Sequence, residues 1–215
     1  MKSKLITLLM AGWLLGIQPA GAGVYEDILH AANQNETDKV VDLLRRGMDV
    51  NTADIQGTTL LMIAARDNNI DLVRFLIDNR ANAQRRNRYG DTALMLAALQ
   101  GHTGVVRLML ERKLDPNHPG WNALHYAAFE NRSEIVALLL AAGANIDARA
   151  PNGQTALMFA AKRGHLDVVR ILVGAKADLA HTDPDEGSVL DMADKAGHTQ
   201  IAQFLKRAGA EHGLK

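Results

Sequence analysis

The sequence predicts an all-α solenoid of about six helix-turn-helix units joined by β-hairpin loops. A fixed repeat period is the first observation, because a pair of alanines recurs at steps of 33, 33, 30 and 33 residues. A period of this length means that one supersecondary unit is stacked repeatedly, and no single unit can bury its core alone. The pairs are Ala31–Ala32, Ala64–Ala65, Ala97–Ala98, Ala127–Ala128 and Ala160–Ala161.

An apolar triplet with the same step is the second observation. Its members stand at positions i, i+1 and i+4, which buries one face of a helix that follows the alanine pair. Two independent markers therefore agree on the unit. The triplets are Leu72/Val73/Leu76, Val105/Val106/Met109, Ile135/Val136/Leu139, Val168/Val169/Leu172 and Ile201/Ala202/Leu205.

Local signals predict where the helices begin and end. A capping residue precedes each first helix and satisfies free backbone N–H groups, which is worth about 1 kcal/mol. These caps are Thr59, Thr92, Asn122, Thr155 and Ser188. Glycines end three first helices, since Gly adopts the left-handed conformation readily, and two more are expected to close second helices. The former are Gly101, Gly164 and Gly197, and the latter are Gly143 and Gly209.

We expect the units to form one continuous array over residues 23–215 and not two domains. Their predicted bounds are about 24–51, 52–84, 85–117, 118–147, 148–180 and 181–213. The single 30-residue step indicates that the hairpin before Trp121 is about three residues short. The first and last units carry more polar residues, as capping repeats do.

The first 22 residues are typical of a secretory signal peptide. Lys2 and Lys4 precede an apolar run, 5–17, and small residues follow at Ala20 and Ala22. The alternative, an N-terminal membrane anchor, is disfavoured because a spanning helix needs about 20 apolar residues. We expect cleavage after Ala22 and a periplasmic or secreted location.

Composition excludes several kinds of site. The chain has no Cys, and its 24 basic residues balance 24 acidic ones. Thiolate chemistry is therefore impossible, and the balance gives no electrostatic argument for nucleic acid. The motifs of phosphate loops, zinc helices and nucleophile elbows do not occur. No cofactor, metal site or catalytic residue is predicted.

The histidines are predicted to brace turns, since His102, His165 and His198 each follow a helix-ending Gly. The alternative is a metal pair of His118 and His125 across the short hairpin. That pair lacks an indicated third ligand.

The units resemble the ankyrin repeat. Its pattern of T-P-L-H-x-A-A, then G-H, a V-V-x-L-L run and G-A-x-(V/I)-(N/D) is similar to "GDTALMLAALQGHTGVVRLML" and "NALHYAAFENRSEIVALLLAAGANIDA". The resemblance extends from Val24 to Gly213. Departures are Ala or Leu where Pro is usual, and Met for His in three units, namely Met62, Met95 and Met158.

The resemblance implies a partner-binding surface made of hairpin tips and the exposed side of the first helices, which is the concave side in this family. The residues carried over are Arg66, Arg88, Tyr89, Leu99, Gln100, Trp121, Phe129, Glu130, Lys162 and Arg163. Four are apolar or aromatic where solvent would favour polar side chains: Tyr89, Leu99, Trp121 and Phe129.

Two alternatives stay open at this surface. Trp121 and Phe129 could anchor a partner, since aromatic residues are common at interface centres, or could pack together to fill the gap left by the short hairpin. Arginines at 85, 86 and 88 could form a positive rim that steers an acidic partner, or a solvated face.

The function implied by the resemblance is non-catalytic binding of another protein by a monomer, with no nucleic acid and, after signal cleavage, no membrane. We expect an accessory or stabilising factor for an exported protein. Similarity to small exported bacterial ankyrin proteins suggests a link to peroxide defence through catalase-type enzymes. The alternatives are a periplasmic inhibitor or immunity protein that blocks a toxin or enzyme, and a hydrolase hidden on a repeat scaffold.

Overall fold

The computed structural model describes the backbone of residues 20–211 and the side chains of residues 23–209. The predicted signal peptide lies outside these described residues, apart from the backbone of residues 20–22 in the first helix. Within the described part of the chain there are twelve helices and two short strands. No helix in that part is both long and apolar enough to cross a membrane.

The helices come in pairs along the chain. Their bounds are α1 Ala20–Asn33, α2 Thr37–Arg45, α3 Leu60–Arg66, α4 Ile70–Asp78, α5 Ala93–Gln100, α6 Thr103–Glu111, α7 Ala123–Phe129, α8 Ser133–Ala141, α9 Ala156–Arg163, α10 Leu166–Gly174, α11 Val189–Lys195 and α12 Thr199–Glu211. The strands β1 Thr182–Asp183 and β2 Gly187–Ser188 form one antiparallel hairpin.

Two layers of helices make up the array. Each odd-numbered helix packs on the odd-numbered helices of the neighbouring units, and each even-numbered helix does the same in its own layer. Within a unit, the two helices pack on each other. The predicted all-α solenoid is confirmed.

The core lies between these layers and is built from the two periodic markers. Both alanines of each pair are buried, as are the triplet residues of the second helices. Small side chains let neighbouring first helices approach closely, and the triplets cover them from the other layer. Because each interface repeats the same packing, stability is spread along the array.

The predicted caps are confirmed. The Thr59 hydroxyl accepts a hydrogen bond from the Met62 backbone N–H at 3.2 Å. The Asn122 side chain accepts one from His125 N–H at 3.1 Å. The caps of the remaining first helices, Thr92, Thr155 and Ser188, accept in the same way.

A residue in the left-handed conformation follows each first helix. The three predicted glycines are confirmed, and the structure shows three further residues in this role. Gly101, Gly164 and Gly197 have φ of 82°, 81° and 76°. In the other units the same position is Asn, with φ between 57° and 62°. Asn tolerates this conformation better than most side chains do. These residues are Asn35, Asn68 and Asn131.

The prediction for second-helix ends is confirmed at Gly143, where φ is 85°, and is wrong at Gly209. Gly209 lies inside α12, which continues to Glu211. The reason is burial, because the apolar face of this helix extends through Ala208, which is only 6% exposed. Packing of that face holds the helix past the Gly.

The histidines after the helix-ending glycines join each unit to the one before it. The His102 Nε2 lies 2.8 Å from the Arg66 carbonyl oxygen. His165 reaches the Phe129 carbonyl at 3.0 Å, and His198 reaches that of Lys162 at 3.1 Å. The predicted bracing role is confirmed.

Candidate protein-binding surface

Four aromatic rings meet in the centre of the array, and we call this group the aromatic row: Tyr126, Trp121, Phe159 and Phe129. Trp121 stacks on Phe159 with ring centroids 4.8 Å apart and on Tyr126 at 5.4 Å. Phe129 meets Phe159 edge to face at 6.0 Å. Such pairs are worth about 0.5–1.5 kcal/mol beyond the area they bury. The row is therefore held in place before any partner arrives.

The repeat register explains why these rings meet. Tyr126 and Phe159 directly precede the alanine pairs of α7 and α9, so they occupy the same position in adjacent units. Trp121 directly precedes the Asn122 cap, and Phe129 is the last residue of α7. The row thus follows the stacking direction of the first helices. The sequence analysis missed Tyr126 and Phe159, although the position before each alanine pair would have found both.

His125 lies under the row and is 1% exposed. Its ring contacts Trp121 and Phe159 edge to face, at 5.7 Å and 5.9 Å. The Asn122 backbone N–H donates to its Nδ1 at 3.2 Å, so Nε2 carries the proton and donates to the Ala148 carbonyl at 2.9 Å. Burial lowers the pKa of His125, since desolvation disfavours the imidazolium, and the Ala148 bond opposes this only in part.

A pH dependence of stability follows from the lowered pKa of His125. The unfolded chain binds the proton more readily than the folded one, so the stabilising effect of neutral His125 is present above about pH 6.5 and is lost as the pH falls below it. We expect the free energy of unfolding to fall by up to about 1.4 kcal/mol per pH unit there. Urea denaturation between pH 7.5 and 5 measures this slope.

The matched control is His125→Met, because three other units place Met at this position, and in two of them its sulfur bonds to the capping residue. There the Met62 and Met95 sulfur atoms accept from the capping residue's N–H at 3.4 Å and 3.3 Å. The variant loses the bond to Ala148, so it starts less stable, but its stability should depend less steeply on pH. An unchanged slope would assign the dependence to other groups.

Charged groups close both ends of the aromatic row. The Tyr126 hydroxyl donates to the Asp91 carboxylate at 2.8 Å. Burial, with this bond, raises the pKa of Tyr126, so the hydroxyl stays protonated at neutral pH. At the other end the Arg163 guanidinium lies 3.8 Å from the Phe129 ring centroid, and Glu130 lies 4.0 Å from Arg163. The apolar rings are thus bordered by the Asp91 carboxylate at one end and by the Arg163–Glu130 pair at the other.

The geometry bears on the packing alternative for Trp121 and Phe129, whereas partner contact stays a prediction. The two side chains are partly buried and pack, but each does so on Phe159. They also keep part of their surface accessible. Packing and partner contact are therefore compatible for these rings.

The short hairpin before Trp121 is stabilised by a side chain of the preceding unit. Arg86 donates to the Pro119 carbonyl at 2.8 Å and contacts the His118 ring. Burial, and after it the neighbouring Arg86 cation, lower the pKa of His118. No group of three or more His, Asp or Glu side chains in residues 23–209 is arranged to hold a metal ion.

The three arginines of this region brace neighbouring hairpins while they stay exposed. Arg85 donates to the Asn51 carbonyl at 3.0 Å, and Arg88 points to that of Ile55 at 3.4 Å. Together with Arg86 they connect three consecutive hairpins. These arginines are therefore more than a solvated face, because each guanidinium donates to a backbone carbonyl of a neighbouring hairpin.

Hairpin tips extend the surface beyond the aromatic row. Tyr89 is 73% exposed, and Ile55 on the preceding tip is 82% exposed. Among residues 23–209 the only other exposed large apolar side chains are Val24 and Tyr25, which are 37% and 40% exposed. The tips therefore offer apolar contact area next to the three arginines.

The remaining predicted residues lie at the ends of the first helices. Leu99 is partly buried, and Gln100 is exposed. Arg66 holds both carboxylate oxygens of Asp67 at 2.8 Å, and Lys162 lies 2.6 Å from Glu186. These pairs fix the charged side chains on either side of the central rings.

Comparison with known proteins agrees with this architecture. The family model for ankyrin repeats in three copies matches residues 28–119, 85–150 and 124–215. A search of curated proteins finds no match. Because the matched ranges extend over most of the chain, and the helix pairs have the period of this repeat, the protein belongs to the ankyrin-repeat family.

Proposed function

We propose that the protein binds a partner protein through the aromatic row and the neighbouring hairpin tips, as an accessory or stabilising factor for an exported protein. Ankyrin repeats generally mediate protein–protein interaction and are typically non-catalytic scaffolds. The signal-like residues 1–22 support an exported setting, with the periplasm as the proposed location. A role in peroxide defence rests only on resemblance to small exported ankyrin proteins.

The aromatic row is the observation that carries the proposal. Its rings are stacked in place, so little side-chain freedom is lost on binding. Trp, Tyr and Arg are the residues most enriched at energetically dominant interface positions. Trp121 and Tyr126 belong to the aromatic row, and the Arg163 guanidinium lies over the Phe129 ring at its end. A partner with apolar side chains would find an ordered aromatic surface bordered by charges.

The double variant Trp121→Ala, Tyr89→Ala tests this surface. We expect partner capture to fall by at least about 30-fold, since truncating a dominant interface residue costs about 2 kcal/mol or more. The measurement is quantitative pull-down from periplasmic extract, with partners identified by mass spectrometry. Circular dichroism should show unchanged helix content.

The control variant is Arg74→Ala, an exposed residue of α4 in the layer away from the aromatic row. It should capture the same proteins as the natural chain. Equal capture by the double variant would place the binding surface elsewhere. Loss of helix content would instead assign Trp121 a packing role.

The activity of a captured enzyme separates the accessory role from that of an inhibitor. An accessory factor should raise the yield, lifetime or activity of the partner, whereas an inhibitor should lower its activity in proportion to binding. Titrating the purified partner with this protein decides between them. Inhibition at equimolar ratio would contradict the stabilising role.

A further inference from the structure

A second concavity lies in the other helix layer, between α10 and α12. We call it the outer cleft, and its volume is about 470 Å³. Its apolar floor includes Val173, Phe204 and Ala208, and its cationic residues are Arg170, Lys176 and Arg207. The cleft is open to solvent and belongs to second helices, so it is separate from the aromatic row.

Gly174 opens this cleft. The equivalent positions of three earlier units are Asp78, Glu111 and Ala141, all of which carry a side chain. A Cβ built on Gly174 would meet nothing within 4 Å. The missing side chain therefore leaves room between Val173 on one helix and Phe204 on the next.

The charge of the outer cleft has one sign. Three cations line it, and no carboxylate is among the described residues that do. Asp167 lies 3.9 Å from Arg170, but both side chains are more than half exposed, so this pair is weak. The cations are therefore available to an anionic ligand.

Lys176 is held in an unfavourable backbone conformation at this cleft. Its φ is 67°, in the left-handed region, where two equivalent positions carry Gly47 and Gly143. A side chain in this region costs about 1–2 kcal/mol. A cation near a helix C-terminus recovers part of that cost through the helix dipole. Lys113 has the same conformation, with φ of 59°, but does not line the cleft.

We infer that the outer cleft binds an acidic segment of a partner protein, with one large apolar side chain inserted over Gly174. The volume lies at the lower end of the roughly 300–1,000 Å³ typical of ligand pockets, which suits one side chain and its neighbours. Val173 and Phe204 contact that side chain, while Arg170, Lys176 and Arg207 meet carboxylates on either side of it. This inference does not depend on binding at the aromatic row.

The test uses a fluorescent peptide, acetyl-EELFEE-amide, with full-length protein and fluorescence anisotropy. We expect Lys176→Glu and Arg207→Glu each to weaken binding by about tenfold, equivalent to about 1.4 kcal/mol. Binding should also weaken as salt rises, because exposed charges are screened. The peptide acetyl-EEGSEE-amide should bind at least about tenfold more weakly, since one buried apolar side chain contributes about 1.5–3 kcal/mol.

Two matched variants make the result specific to the cleft. Gly174→Leu fills it without changing charge, and replacing Gly in a helix favours the fold, so binding should be lost while helix content is kept. Lys113→Glu reverses a charge at the equivalent position outside the cleft and should leave binding intact. Trp121→Ala should also bind the peptide normally, which separates this site from the aromatic row.

Several outcomes would overturn the inference. Equal weakening by Lys113→Glu would mean that net charge alone attracts the peptide. Undiminished binding by Gly174→Leu would place the apolar side chain elsewhere. Binding to vesicles of phosphatidylglycerol in preference to the peptide would identify the ligand as an anionic lipid surface.

Discussion

Replacing Phe159 with Ala should lower the free energy of unfolding by about 3–5 kcal/mol, the range for truncating a large buried aromatic side chain. The Phe159 ring is 5% exposed and contacts the rings of Trp121, His125 and Phe129. Its removal leaves a cavity in the centre of the aromatic row. Urea denaturation followed by circular dichroism measures the loss, and Trp121 fluorescence reports the changed surroundings of the row.

Phe159→Leu is the matched control for this cavity. Leu96 occupies the equivalent position two units earlier, so the array accommodates Leu there. We expect a clearly smaller loss, because Leu fills most of the space and large-to-small cost follows the residual cavity. Equal losses for the two variants would show that stacking of the rings, and not filled volume, stabilises this region.

Replacing Gly164 with Ala has the second largest expected effect, a loss of about 2–3 kcal/mol. Gly164 has φ of 81°, and a Cβ there would lie 2.7 Å from the His198 ring. That ring is held by its bond to the Lys162 carbonyl at 3.1 Å. The substitution therefore adds backbone strain and also displaces a contact between units five and six. Thermal and urea unfolding both measure it.

Gly143→Ala separates the two contributions. Gly143 has a similar φ of 85°, but a Cβ there would meet nothing within 4 Å. The free energy of unfolding of Gly143→Ala should fall by only about 1–2 kcal/mol, which is the cost of the backbone strain alone. If the two variants lost the same amount, the His198 contact would contribute nothing to the stability of the array.

The Phe159 pair of variants rests on a property of stacked repeats that two of the other controls share. Equivalent positions hold different residues in different units, so the chain itself supplies the control for each substitution. Leu96 shows which residue the array accepts in place of Phe159, and Met62 does the same for His125. Lys113 is the control position for Lys176. Since each unit contacts only its neighbours, an effect at one position should stay local.

The sequence by itself determined the repeat, the helices, their capping residues and the helix ends that Gly marks correctly. Caps such as Thr59 and turns such as Gly101 act within a few residues, so their local patterns were sufficient. The regular spacing of the alanine pairs was sufficient to predict that they are buried. Helix ends without Gly were missed, because Asn at positions such as Asn68 signals the left-handed turn less clearly. The signal peptide and the unit bounds stay predictions.

The tertiary structure alone decided how the candidate surface is made. Trp121 belongs to the aromatic row because Phe159, 38 residues later, stacks on it at 4.8 Å. Arg86 supports the short hairpin by reaching the next unit, and Gly174 opens a cleft against α12. Each of these contacts joins two units, so it depends on how the units stack and not on the pattern within one. Local signals are set by neighbours in the chain, whereas the candidate binding surfaces are set by neighbours in space.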